Sequence, residues 1–278
     1  MPVVATTIPE LQAARARLTG SVGLVPTMGA LHEGHLSLMR RAGAEADTVA
    51  VSIFVNPLQF GPGEDLDKYP RMLEADLRAC DDVGVGLVFA PTPAIMYPHE
   101  PTVTVSPGRM GTLLEGAHRP GHFDGMLTVV LKLFNLVRPD IAVFGQKDGQ
   151  QLALIRRMVA DLNVPVRVLA GETVREPDGL ALSSRNRYLT PADRDAAVAL
   201  SRALFAARDT ADSGPEAAMA AAEKELSTAP DVRLDYLSLV APDTFQPIAA
   251  DHSGAAILAV AAHVGATRLI DNVTVTFP

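Results

Sequence analysis

Short apolar runs alternate with helix-periodic stretches through residues 22–170, and this alternation narrows the fold more than any other feature of the chain. Val22 to Val25, Thr48 to Val55, Val85 to Phe89, Ile141 to Phe144 and Val166 to Ala170 are apolar and rich in β-branched residues, as buried strands are. Between them stand stretches with helical spacing. Examples are Leu73, Leu77 and Cys80, the run Met126 to Val137, and Gln150 to Leu162. Strands alternating with helices predict an α/β fold with a doubly wound parallel sheet. Ahead of them, Thr7 and Glu10 form a capping-box pair around Pro9, predicting a helix to about Leu18. The T-V-T-V run at Thr102 to Val105 reads as an edge strand. Gly61 to Pro70, with Gly63, Asp65 and Asp67, and Gly116 to Gly125 read as loops.

The character changes after residue 173. Thr190, Pro191 and Asp193 start a helix to about Thr210, and another follows Gly214-Pro215 to about Ser227. Strand-like runs at Val232 to Leu239, Ala255 to Ala261 and Thr267 to Phe277 complete an alanine-rich tail. The expected organisation is therefore a parallel-sheet domain over 1–173 and a smaller α+β domain over 174–278.

With 278 residues, 48% of them apolar and 20% charged, the composition is that of an ordinary globular chain with a real core. A formal charge of −8 argues against broad binding to nucleic acid or anionic membrane, which needs a basic footprint. The single cysteine, Cys80, excludes an internal disulfide and agrees with a reducing compartment. No signal-peptide pattern and no membrane-spanning apolar run are expected.

The most informative junction is V-G-L-V-P-T-M-G-A-L-H-E-G-H, Val22 to His35. Pro26 is expected to end the strand, since proline cannot donate to the ladder. Gly29 and Gly34 give the loop room, and a helical pattern follows. His32 and His35 then share one face of a first helical turn, where free N–H groups and the helix dipole suit a phosphate. Other readings are a metal site, for which no third ligand is evident, and a P-loop, which fails because His35 and Leu36 replace its lysine and hydroxyl. Two histidines in a solvated loop remain open on this stretch alone.

Three further clusters carry polar chemistry. Asn56-Pro57-Leu58-Gln59 follows a buried strand, where open α/β sheets bind ligands, although Asn56 also suits a plain turn. Gly145-Gln146-Lys147-Asp148-Gly149 repeats the strand–turn–helix theme and places a lysine where a phosphate would sit, with Gln151 one turn on. Leu182-Ser183-Ser184-Arg185-Asn186 gathers hydroxyls, a guanidinium and an amide, and arginine can fork onto phosphate. His118, Arg119 and His122 could face a ligand or lie in a solvated loop.

The motifs P-T-M-G-A-L-H-E-G-H, S-I-F-V-N-P-L-Q-F-G, R-P-G-H-F-D-G, F-G-Q-K-D and D-G-L-A-L-S-S-R-N-R-Y-L stand in one order over almost the whole chain. In that order and spacing the chain resembles the pantoate–β-alanine ligase (pantothenate synthetase) family. H-x-G-H alone is shared with the wider nucleotidyltransferase and class I tRNA-synthetase group; its combination with N-P-x-Q-F and S-S-R-N is highly specific. The resemblance implies a Rossmann-like domain of the HxGH nucleotidyltransferase type followed by a smaller C-terminal domain; with Ser183, Ser184 and Arg185 at the joint suited to grip ATP, that second domain is expected to act as a lid. It implies that ATP and pantoate give pantoyl adenylate and pyrophosphate, and that β-alanine then gives pantothenate and AMP. Met28, Gly29, Ala30, Leu31, His32, Glu33, Gly34 and His35 would hold ATP, with His35 catalytic and His32 beside it. Gly145, Gln146, Lys147, Asp148, Val174, Leu182, Ser183, Ser184 and Arg185 would complete the nucleotide site, with Lys147 also catalytic. Gln59, Gln151 and Asn56 would take pantoate and β-alanine. Mg2+ would accompany ATP, its protein ligands unknown, and the protein would be a cytoplasmic homodimer with no nucleic-acid or membrane partner.

Two departures stand out: Gln146 where the family often has Glu, and Gly149 where it often has a larger residue. Gln146 is expected to do little harm. Gly149 is expected to weaken a helix start, so that Gly149→Ala raises the melting temperature. The competing functions are another HxGH adenylyl- or cytidylyltransferase, and a non-catalytic nucleotide-binding module.

Overall fold

The structure is a computed structural model describing residues 1–64 and 66–278; Asp65 of the polar loop lies outside the described residues. The chain forms two compact units. One comprises Met1–Gly145 and Leu154–Gly171, the other Gln146–Ala153 and Glu172–Pro278.

The first unit is built on β1 (Val3–Ala5), α1 (Ile8–Arg15), β2 (Val22–Thr27), α2 (Glu33–Gly43), β3 (Thr48–Ile53), α3 (Leu73–Asp82), β4 (Leu87–Phe89), α4 (Pro93–Met96), α5 (Glu115–His118), α6 (His122–Val137) and β5 (Ile141–Gly145). Helix α7 (Gly149–Asp161) and strand β6 (Arg167–Gly171) follow. The sheet order is β1-β4-β3-β2-β5-β6, with every pairing parallel. The order reverses between β2 and β5, and in such sheets ligands bind outside the carboxyl ends of the strands at that switch point. Val25, Val49, Val51, Val88 and Val143 pack with Leu38, Met39 and Ala42 of α2 and Cys80 of α3. Leu24, Ala50 and Ala142 point to the opposite face by strand alternation, and α6, which also meets α1, contacts β2.

Several sequence expectations need correction. Pro26 does not end β2, which pairs with β3 through Thr27; pairing with β5 stops at Leu24. Strand β1 is an edge strand that no pattern announced. Thr102–Val105 lies outside both sheets; Val103 is 84% exposed, and the Val105 N–H is taken by Thr128 Oγ1 at 2.9 Å. Gly116–Gly125 is largely helical: α5 ends within it, and α6 starts at His122 after Gly121, whose φ is +81°.

In the second unit, α8 (Pro191–Asp209) and α9 (Pro215–Ser227) pack on an antiparallel sheet of β7 (Val232–Val240), β8 (Gly254–Val264) and β9 (Thr267–Phe277), in the order β7-β8-β9. The Thr190–Asp193 capping box opens α8 as read from the sequence. The core is alanine-rich, with Ala197, Ala203 and Ala207 against Leu258, Val260 and Phe277. Small residues on the helices allow a close approach to the sheet. Among the described residues, no helix is long and apolar enough to cross a membrane.

Candidate functional site

The loop after β2 turns on two residues with left-handed backbone, Gly29 (φ +84°) and Ala30 (φ +50°). Gly29 also cannot be larger, because a Cβ there would lie 2.9 Å from Asp76 Oδ2. That carboxylate holds the turn: Asp76, 3% exposed on α3, accepts from the N–H groups of Ala30 (3.0 Å) and Leu31 (2.8 Å). Thr27 Oγ1 donates to Ser52 O at 2.8 Å and accepts the Gly29 N–H at 3.3 Å. A left-handed L-residue costs roughly 1–2 kcal/mol, and hydrogen bonds to an ionised acceptor contribute more than neutral ones.

This turn delivers His32 to the N-cap of α2 and His35 to its third position. Their rings are 4.1 Å apart, centroid to centroid. The His32 N–H donates to His35 Nδ1 at 3.3 Å. A backbone N–H only donates, so Nδ1 uses its lone pair, and neutral His35 carries its proton on Nε2. Glu33 offers its backbone at the helix start; its carboxylate is ion-paired with Arg40 on the exposed face, which holds it below the usual carboxylate range.

Asn56 and Gln59 follow β3 on a short 3-10 turn, Pro57–Gln59. The orientation of both amides follows from their neighbours. Asn56 is 1% exposed. Its Oδ1 accepts from the Leu58 N–H (3.3 Å) and the Tyr97 hydroxyl (2.9 Å), while its Nδ2 donates to Gly125 O (3.1 Å). The same Nδ2 donates to Gln59 Oε1 at 3.1 Å, so Gln59 Nε2 turns the other way, toward Met28 Sδ at 3.3 Å. Gln59 is thereby set to present donors. Burial pushes the Tyr97 hydroxyl up to about 12, keeping it protonated to serve Asn56.

The main chain of Gln59 is gripped as well. Its carbonyl accepts from His122 Nδ1 (2.8 Å) and Arg119 Nη2 (3.3 Å). Arg119 forks onto Glu64 at 2.8 and 2.6 Å, and its Nη1 lies 3.1 Å from His122 Nε2. Guanidinium only donates and carbonyl only accepts, so His122 is the neutral Nδ1–H tautomer. Burial first, and the Arg119 charge second, push its pKa down to about 4. Arg119 and His122 are therefore committed to holding the Gln59 turn, whereas His118 ends α5 on the exposed surface.

In the second unit, Gln146–Asp148 forms a 3-10 turn running into α7. Asn272 on β9 donates to the carbonyls of Gln146 (3.0 Å) and Lys147 (2.6 Å), and Gln146 Nε2 donates to Thr274 Oγ1 at 3.3 Å. Lys147 Nζ lies 3.9 Å from the Asp148 carboxylate. Val174 and Leu182 meet directly, the Leu182 N–H donating to Val174 O at 2.9 Å across a hairpin that Arg175 and Ala181 bridge. Ser183 caps the turn Ser184–Tyr188 by accepting the Arg185 N–H at 3.2 Å. Gln151 sits half-buried on α7, beside buried Gln150.

Within each unit, then, expected residues meet in smaller groups: Met28 with Asn56 and Gln59, and His32 with His35, in one, and Val174 with Leu182, Ser183 with Arg185, and Gln146 with Lys147, in the other. Sequence reasoning missed Asp76, Tyr97 and Asn272, the residues that hold these loops. A polar residue inside an apolar pattern was the available signal for Asp76, which lies between Leu73, Leu77 and Cys80.

The family model described as Pantoate-beta-alanine ligase matches residues 3–274. A pantothenate synthetase from Thermobifida fusca is 59% identical over 285 residues, covering 99% of this chain and 96% of its own. The crystal structure of a pantothenate synthetase from Thermus thermophilus has a TM-score of 0.93 at 48% identity, with all of both chains covered. A pantoate-beta-alanine ligase from Francisella tularensis, complexed with beta-gamma ATP and beta-alanine, has a TM-score of 0.81 at 34% identity, covering 98% of this chain and 97% of that one.

Proposed function

The chain belongs to the pantoate-beta-alanine ligase family, and from that premise we propose that it condenses pantoate with β-alanine at the expense of ATP, through a pantoyl adenylate. In the first step a pantoate carboxylate oxygen attacks the α-phosphorus of ATP. An O–P bond forms, the bond to pyrophosphate breaks, and pyrophosphate leaves with the electron pair. In the second step the unprotonated amine of β-alanine attacks the acyl carbon. A C–N bond forms, AMP leaves as the anion, and the nitrogen loses its extra proton to solvent. Neither step needs a protein nucleophile.

What the chain must supply is donors aimed at developing negative charge. The observation that carries the reading is the fixed polarity of the site residues: Nε2–H of His35 and Nε2 of Gln59 are both set as donors by their neighbours. His35, with His32 beside it, and Lys147 are assigned to charge on the phosphates. Gln59, Gln151 and Asn56 are assigned to pantoate and β-alanine, and the Gln59 donor suits a carboxylate or hydroxyl oxygen. The backbone of Met28–His35, Gly145–Asp148, Val174 and Leu182–Arg185 are assigned to ATP. Residues 1–173 form the nucleotide- and pantoate-binding domain in this proposal, and 174–278 the lid.

Among the described residues, no three His, Cys, Asp or Glu side chains gather as a metal cage. Mg2+ would therefore arrive with ATP, held by triphosphate oxygens and water. Bound there, Mg2+ would neutralise charge on the departing pyrophosphate. The partners are small molecules rather than nucleic acid or membrane, in keeping with the −8 charge, and the protein works as a cytoplasmic homodimer. The test is product analysis with ATP, pantoate and β-alanine, with pyrophosphate–ATP exchange followed in the absence of β-alanine. Exchange is expected to depend on pantoate, and AMP to match pantothenate. Formation of ADP would overturn the adenylate route.

A further inference from the structure

Strand β9 carries two adjacent buried polar residues, Asp271 (4% exposed) and Asn272 (7% exposed). Strand alternation explains only one of them. Leu269, Val275 and Phe277 share the core-facing side with Asp271. Asn272 stands on the opposite side, where Thr274 and Thr276 are exposed. An asparagine has no reason to be dry there unless something polar covers it. What covers it is the turn that carries Lys147.

The orientation of the amide is fixed by its partners. Both contacts, Gln146 O at 3.0 Å and Lys147 O at 2.6 Å, are carbonyl oxygens, so the atom facing them is Nδ2 with both its hydrogens engaged. Asn272 is itself anchored. Its carbonyl accepts from Arg175 Nη2 at 3.4 Å, its N–H donates to Asp271 Oδ1 at 2.8 Å, and Asp271 pairs with Arg175 at 2.6 Å. Two successive carbonyls tied to one buried amide leave the turn little freedom to rotate.

We propose that Asn272 is a positioning residue for Lys147: by tying the two carbonyls that flank the lysine's Cα to a rigid strand, it fixes where the ammonium group points. The inference rests on the reading of Lys147 as the phosphate-stabilising cation. Holding a charge in place before the reaction is what makes it effective, and a misplacement of about 1 Å can cost about a hundredfold in rate.

The test is a double-mutant cycle on the full-length protein, read as single-turnover formation of pyrophosphate from ATP and pantoate. Asn272→Ala is expected to slow this step about tenfold to a hundredfold. In a Lys147→Ala background the same change should alter the rate by less than about twofold. A general structural role would slow both backgrounds equally, and that result would overturn the proposal, as would a wild-type rate in folded Asn272→Ala. Hydrogen exchange provides a readout independent of turnover: the amides of residues 146–150 should exchange faster in Asn272→Ala, and unchanged exchange counts against the clamp. If Asn272→Ala does not fold, Asn272→Ser, which keeps a polar group in the buried place, carries the same comparison. Lys147→Ala at wild-type rate would overturn the reading of Lys147, whereas a slow Lys147→Ala with an indifferent Asn272→Ala would overturn this inference alone.

Discussion

Gly125→Ala separates a local rule from a packing constraint. Gly125 lies in the first turns of α6 with no positive φ, and replacing a helical glycine by alanine ordinarily stabilises by about 1 kcal/mol. Here a Cβ would stand 2.7 Å from Gln59 N and closer still to the carbonyl carbon and oxygen of Leu58. These are backbone atoms, so no side chain can swing aside. Relief requires the helix and the Pro57–Gln59 turn to part by roughly 1 Å. Forcing a methyl into a packed interior costs about 1–3 kcal/mol, and the Asn56 bond to Gly125 O, 3.1 Å long, is stretched too, worth about 1 kcal/mol. Less the roughly 1 kcal/mol gained in helix propensity, the net is a loss of about 1–3 kcal/mol, or a fall in melting temperature of about 2–6 °C in a chain of this size. The function should suffer separately. Gln59 would move with its turn, and a 1 Å shift of a positioning group can cost about a hundredfold. Calorimetry gives the first number; pantoate-dependent pyrophosphate exchange, measured well below the melting point, gives the second. A melting temperature equal to or above wild type would refute the reasoning, since propensity would then outweigh the close approach.

The remaining predictions address the histidines and the other unusual glycine. His35→Ala should slow single-turnover adenylation by about 100- to 1000-fold with the fold intact, as removing one preorganised donor does; near wild-type speed would take His35 out of the mechanism. His122 has a folded pKa of about 4 against an ordinary 6.5, so as pH falls from 6.5 toward 4 the unfolded chain takes up a proton that the folded chain refuses. Stability should therefore fall on acidification with a slope approaching about 1.4 kcal/mol per pH unit from this group, and His122→Gln should flatten that limb in urea titrations at each pH. Gly149→Ala is a milder case than Gly125→Ala: its Cβ would meet side-chain atoms, Asn272 Nδ2 at 3.3 Å and the Phe245 ring at 3.4 Å, so a shift of only a few tenths of an ångström is needed, small enough to leave the Asn272 hydrogen bonds in place. The melting temperature should rise by no more than about 3 °C, and a marked fall would show that Asn272 cannot yield.

The parts of the molecule legible in the sequence were those written in contiguous stretches. The strand runs, the capping boxes at Thr7 and Thr190, and the donor-bearing loops each fit inside about a dozen residues, where period and spacing operate. What failed was decided by distant chain. β1 is only three residues long and owes its place to pairing with β4. Thr102–Val105 has a strand's alternation but no neighbouring strand to pair with. Gly116 and Gly125 read as loop glycines, yet both lie in helices. They are small because the backbone at Gly111 and at Leu58 passes too close for a Cβ. A glycine marks either a turn or a close approach, and sequence alone does not distinguish them.

The supports of the site were hidden for the same reason, and they share a physical logic. Asp76 lies 46 residues from Ala30, Tyr97 lies 41 from Asn56, and Asn272 lies 126 from Gln146. Asp76 and Asn272 stand on regular elements and end on backbone groups of a loop, whereas the groups assigned to substrate stand on the loops themselves or in the first turn of the helix that follows. The division follows from what each job demands. A loop that must bend through Gly29 and Ala30 to present two histidines cannot satisfy its own N–H groups, since left-handed residues break any repeating ladder. Those groups must be met from an element whose geometry is independent of the loop. A carboxylate on a helix or an amide on a strand does this only if it is buried, where water does not compete and the hydrogen bond gains strength. A polar residue at an apolar position of a helix or strand is therefore the place to look for whatever holds a neighbouring loop. Asp76, at 3% exposure within the stripe of Leu77 and Cys80, and Asn272, dry on the outer face of β9, are two residues whose burial has no explanation within their own elements.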